Sequence, residues 1–151
     1  MPDAANAARE LFHDDYIVVR MDADGLLVWL IRSAVPYPDI PALVQSFEGV
    51  LNTLDALDSP GRSGRPGRAM LFDTRAARGR NDPEFERAMA AVRPLLESHF
   101  VRVGVLVASA VGALQMRRWV SADGIERLTG TNAAELASTL RAELASKANE
   151  E

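Results

Sequence analysis

Residues 26–31, LLVWLI, are six apolar residues in a row, and this run constrains the fold more than any other part of the chain. It is far short of the roughly 20 residues that cross a bilayer. A strand with one face in water would alternate apolar with polar residues, so a run like this predicts a central strand covered on both faces. Just before it, Asp22-Ala23-Asp24-Gly25 supplies the Asp-Gly pair of a tight hairpin. Strands over 16–21 and 26–32 are therefore expected to pair antiparallel.

After this hairpin the period changes. Leu43, Phe47, Val50, Leu54 and Leu57 fall at helical spacing, with Asp39 and Pro41 at the start. SPGRSGRPGR, residues 59–68, carries three glycines and two prolines and reads as an exposed loop. A short buried strand is expected over 69–73. Asn81 or Asp82 can cap the next helix, Pro83 suits its first turn, and Phe85, Met89, Val92 and Leu96 form its inward face, with Pro94 late enough to kink it. VRVGVLVAS, residues 101–109, reads as a strand. A helix over about 111–119 and a short strand over 125–128 follow. Asn132 with Glu135 forms a capping box for a last helix carrying Leu136, Leu140 and Leu144.

The order β-β-α-β-α-β-α-β-α predicts a single α/β domain over residues 14–145, with a mixed sheet of four to five strands. Residues 1–13 are expected as a helical or mobile extension and 146–151 as a frayed tail.

Composition narrows the function classes. The 151 residues contain no cysteine and two distant histidines, so neither thiolate chemistry nor a histidine-rich metal site is expected, and no cofactor is implied. The first residues carry two acids before an apolar block, unlike a secretory signal, so a cytoplasmic protein without a membrane partner is expected. A net charge of −4 argues against nucleic acid as a partner. The 59–68 loop has no aromatic residue to stack on bases, and its glycines precede a strand, whereas a phosphate loop follows one. His13 and His99 lack a nucleophile in a recognisable frame, and no G-x-S-x-G or H-E-x-x-H occurs. Met116 and Trp119, beside Arg117 and Arg118, read as core packing of a helix on the sheet. No enzyme is expected.

The one informative charge pattern is LFDTRAARGRND. Residues 60–80 hold six arginines against a single acid, Asp73. Arg62, Arg65 and Arg68 precede the strand, and a strand of five residues, roughly 17 Å, separates them from those that follow it. Beyond the carboxyl end, where ligands gather in such sheets, stand Asp73, Thr74, Arg75, Arg78, Arg80, Asn81 and Asp82. Together with the next helix N-terminus they are the candidate site for an anion or an acidic partner surface. The competing reading has Asp73 paired internally with an arginine.

Element order over roughly residues 14–145, the Leu71-Phe72-Asp73 strand end before a loop and helix, and VRVGVLVAS with the elements after it resemble the STAS or SpoIIAA-like superfamily of anti-sigma-factor antagonists and STAS/SEC14-type domains. In the antagonists a phosphorylated serine in an Asp-Ser-Ser-Gly-type segment follows such a strand and is recognised by a partner kinase. Here the segment is Asp73-Thr74-Arg75-Ala76-Ala77-Arg78-Gly79-Arg80, without that serine, and Thr74 is its only hydroxyl. The resemblance implies a non-enzymatic regulatory module that docks a protein partner, such as a kinase, an anti-sigma factor or another signalling component, through loop 74–82. Its alternatives are a small-molecule or lipid carrier of the SEC14 kind and a phosphate switch at Thr74. A short last strand also leaves an edge through which the chain could form a homo-oligomer.

Overall fold

The computed structural model describes residues 9–57, 67–77, 82–109 and 127–150. Six strands form one mixed sheet in strict chain order: β1 (Arg9–His13), β2 (Ile17–Met21), β3 (Leu27–Arg32), β4 (Ala69–Asp73), β5 (Arg102–Leu106) and β6 (Leu128–Gly130). The β1–β2 and β2–β3 pairs are antiparallel, whereas β3 through β6 run parallel. The expected hairpin closes at Gly25, whose φ of +72° lies in the left-handed region that glycine tolerates.

Helices α1 (Ile40–Leu57) and α2 (Pro83–Glu97) make two of the parallel crossovers, and α3 (Ala133–Glu150) follows the last strand. Because successive parallel strands step across the sheet in one direction, right-handed crossovers put α1 and α2 on the same face. The packing agrees. Val28, Leu30, Met70, Phe72, Val103 and Val105 meet Leu43, Phe47, Val50 and Leu54 of α1 and Phe85 and Leu96 of α2. The alternate residues, Leu27, Ala69, Leu71 and Leu106, meet Leu136, Ala137, Leu140 and Leu144 of α3. The apolar run in β3 is thus covered on both sides, as its composition requires, and each fully buried Leu or Phe contributes about 1.5–3 kcal/mol of transfer free energy. Met89 and Val92 are only partly buried at the edge of the first core. Gly104 lets α3 approach closely, since a Cβ there would lie 3.0 Å from a Leu140 methyl.

The caps follow the sequence. Asp82, not Asn81, caps α2 by accepting the Glu84 N–H, and Pro83 opens the helix. Asn132 accepts the Glu135 N–H at the start of α3. Glu97 and Arg127 form a buried two-pronged ion pair, at 2.5 and 2.8 Å, that ties the end of α2 to the start of β6. Opposite the carboxyl rim, Arg141 of α3 bridges Asp22 and Asp24 of the β2–β3 turn, and Asp22 also accepts the Trp29 indole N–H. No helix among the described residues is long and apolar enough to cross a membrane.

Three expectations change. Residues 9–13, expected within a helical or mobile extension, form strand β1, because Arg9–His13 pairs with β2 and Phe12 packs onto α1 at Gly49. The last strand lies at Leu128–Gly130, where it pairs with β5, two residues later than its expected end. The helix expected to fray from 146 continues to Glu150. Residues 1–8, most of the 59–68 loop and the expected helix at 111–119, with Met116 and Trp119, lie outside the described residues.

A Cβ at Gly49 would stand 2.6 Å from two ring carbons of Phe12. Gly49→Ala should therefore cost about 1–3 kcal/mol despite the better helix propensity of alanine. Combining it with Phe12→Ala should recover part of that loss in a double-mutant cycle read by thermal melting. Burial would raise the pKa of Asp24, but the Leu26 N–H and the Arg141 guanidinium outweigh it and hold the carboxyl below its ordinary value. The stabilisation is complete above the unfolded-state pKa and lost as pH falls through the lower folded one. Asp24→Asn should flatten the acid limb of a stability-versus-pH curve.

Candidate functional site

The carboxyl ends of β3, β4 and β5 share one rim, and the β1–β2 turn joins them there because β2 runs antiparallel and sets Ile17 opposite Arg32. This is where backbone groups and loop side chains of a parallel sheet converge on ligands. Two polar groups occupy it.

The first comprises the described part of the candidate site. Asp73 ends β4 and is buried, and its carboxylate accepts the Arg75 backbone N–H at 3.0 Å, Arg75 Nε at 3.0 Å and Arg75 Nη2 at 2.9 Å. The hydrogen bond and charge of Asp73 raise the pKa of Arg75 above its ordinary value against slight desolvation. Arg75 is therefore turned back onto its own strand. Thr74 extends the ladder: its backbone N–H and its hydroxyl both donate to the Leu106 carbonyl, at 2.9 and 2.8 Å, and its own carbonyl accepts the Ala77 N–H. Asp82 is occupied as the α2 cap. Arg78, Arg80 and Asn81 lie outside the described residues. The structure thus brings Asp73, Thr74 and Arg75 together as a self-satisfied turn, the internal pairing that competed with docking.

The second group is not signalled as a site by the sequence. Asp14, in the β1–β2 turn, accepts the backbone N–H groups of Tyr16 and Ile17 through Oδ1 and the Ser46 hydroxyl through Oδ2 at 2.7 Å. Ser46 in turn accepts the Tyr37 hydroxyl at 3.0 Å. Burial pushes the Tyr37 phenol pKa up and keeps it a neutral donor, with Ser46 and Arg32 pulling the other way. The Tyr16 and Tyr37 ring centroids are 4.5 Å apart, and the Arg32 guanidinium lies 4.4 Å from the centroid of Tyr37. Arg32 Nε donates to the Tyr16 carbonyl, and the Ser33 hydroxyl donates to the Asp15 carbonyl. These bonds pin the β3–α1 loop to the β1–β2 turn. Outside the pin, Ala34, Pro36, Pro38 and Pro41 are exposed, with Val35 at 47% and Val44 at 39%.

The remaining clusters are separate. Arg68 donates to the Gly25 carbonyl at the opposite rim, which keeps the arginines before and after β4 apart, as the strand length predicts. A cleft of about 390 Å³ at that rim is lined by Asp22, Ala23, Asp24 and Arg141. His13 meets Glu10 on the surface and His99 meets Asp55 at 3.2 Å. Among the described residues no three His, Cys, Asp or Glu side chains are placed to hold a metal ion.

Comparison with family models, with curated proteins and with solved structures returns no match.

Ser46→Ala would leave the Tyr37 hydroxyl and one Asp14 oxygen without this partner, a loss of about 1–3 kcal/mol. Hydrogen exchange should show faster opening at both the β1–β2 turn and the β3–α1 loop, with α3 unchanged.

Proposed function

We propose that this chain is a non-catalytic interaction module that receives a protein partner on its carboxyl rim, the role implied by its STAS-like element order. The observation that carries this reading is a stiff apolar ridge, Ala34, Val35, Pro36, Pro38, Pro41 and Val44, exposed where the chain leaves β3, the strand paired with β4. Three prolines and the Tyr37–Ser46–Asp14 chain fix the ridge before any partner arrives, so little ordering entropy is left to lose on binding. Arginine is enriched among the residues that dominate interface energetics, and rigid apolar contacts around such residues serve to exclude water. Within the loop expected to dock, Arg75 contributes less than its sequence position suggests, and the weight moves to the ridge and to Arg78 and Arg80.

A docking role is favoured over a carrier because the side chains between sheet and helices pack against one another, with Leu30, Phe47, Met70 and Leu71 at 0–1% exposure. It is favoured over a switch at Thr74 because a phosphoryl group there would have to displace the bond to the Leu106 carbonyl.

Val35→Asp and the pair Arg78→Glu with Arg80→Glu should each weaken capture of a partner from the native lysate by about tenfold or more, while the melting temperature stays within about 2 °C of the parent. Capture that is the same for parent, both variants and an Arg20→Glu control would refute docking on this rim.

A further inference from the structure

Several guanidinium groups of this protein rest on carboxylates: Arg75 on Asp73, Arg102 on Glu143, Arg127 on Glu97, and Arg141 on Asp22 and Asp24. Arg32 differs. It stands at the carboxyl end of β3, partly buried, and everything it touches is neutral: the Tyr16 carbonyl at 3.1 Å, the Val35 carbonyl at 3.4 Å and the face of the Tyr37 ring. Among the described residues its contacts are made by Nε, by Nη2 and by the face of the guanidinium, and none is to a carboxylate. Asp14 acts on it only at longer range, its oxygens being engaged by Tyr16, Ile17 and Ser46.

A guanidinium held partly out of water by two carbonyl dipoles and a ring still has donors left for an acceptor from outside the chain. Burial lowers the pKa of Arg32, and Tyr37 and Asp14 pull it back up. Charged groups perturbed by burial cluster at functional sites. The position fits, since Arg32 lies on the rim where parallel strands present their ligands. The geometry fits as well: the Tyr37 ring and the Tyr16 carbonyl fix the plane of the guanidinium, so its remaining donors are aimed before an anion arrives.

We propose that Arg32 is the recognition residue of an oxyanion site on the carboxyl rim, taking a carboxylate or phosphate group between its free donors and the solvent. The site shares a loop with the docking ridge, since Arg32 donates to the Val35 carbonyl, but anion binding is read on the free chain with no partner present. Its failure and the failure of the docking reading are therefore separately visible.

The test is a titration of the full chain, labelled with nitrogen-15, followed through the arginine Nε–H resonances and the tyrosine ring signals. Sodium phosphate is added in one arm and sodium acetate in another, each against sodium chloride at equal ionic strength. A saturable shift of the Arg32 Nε–H and the Tyr37 ring is expected in at least one arm, and the arm with the lower Kd names the oxyanion. Arg32→Gln should raise that Kd about tenfold or more, the loss expected for a charged hydrogen bond. Arg32→Lys, which keeps the charge and the fold but lacks the planar fork, should also weaken binding, and Arg20→Gln should leave it unchanged. The proposal is overturned by shifts that merely track the chloride reference, or by saturable binding that both Arg32 variants retain at parental Kd.

Discussion

Two-sided burial of β3, β4 and β5 is the constraint from which the other features follow. Residues 28, 30, 70, 72, 103 and 105 face α1 and α2, whereas 27, 69, 71 and 106 face α3. A shift of register by one residue would exchange these sets and leave Gly104 without the close approach of Leu136 and Leu140. The two faces are not equivalent. Two helices cover one, and among the described residues a single helix covers the other, held at its sides by the Arg141 bridges to Asp22 and Asp24 and by the Arg102–Glu143 pair.

That arrangement places the rim. Strands β3 to β5 stop together, and the antiparallel β2 brings its preceding turn alongside them. Polar side chains at this edge are then divided between two tasks. Asp73, Thr74 and Arg75 close the end of β4 upon itself. Asp14, Ser46 and Tyr37 fasten the β3–α1 loop, which leaves Arg32 held in place by neutral groups. One rim arginine thus pairs with the carboxylate that ends its own strand, and another rests on neutral groups.

The framework was legible in the sequence where periodicity was long: the apolar run of β3, the helical spacing of Leu43, Phe47, Val50 and Leu54, and the Asn132–Glu135 cap each mark their element. Strand β1 was not legible. Its two apolar residues, Leu11 and Phe12, are too few to show a period, and its conformation is decided by β2 and by the gap at Gly49 in α1. The pinned loop was hidden for a similar reason. Ser46 reads as an ordinary polar residue on a helix and becomes buried because Asp14, 32 residues earlier, lies against it. Arg75 shows the opposite limit: the run of arginines was plain, but the bidentate pairing that occupies one of them is a matter of side-chain geometry.

The strict chain order of the strands has a consequence for biosynthesis. Each strand hydrogen-bonds to the one made before it, so the sheet can lengthen at its open border as the polypeptide emerges, without waiting for a distant segment. The layer of Leu27, Leu71 and Leu106 is the exception, for the helix that covers it among the described residues, α3, comes after all six strands. Among the described residues that layer of leucines therefore stays uncovered until Leu136 to Leu144 are in place, so the two faces of one sheet close at different moments.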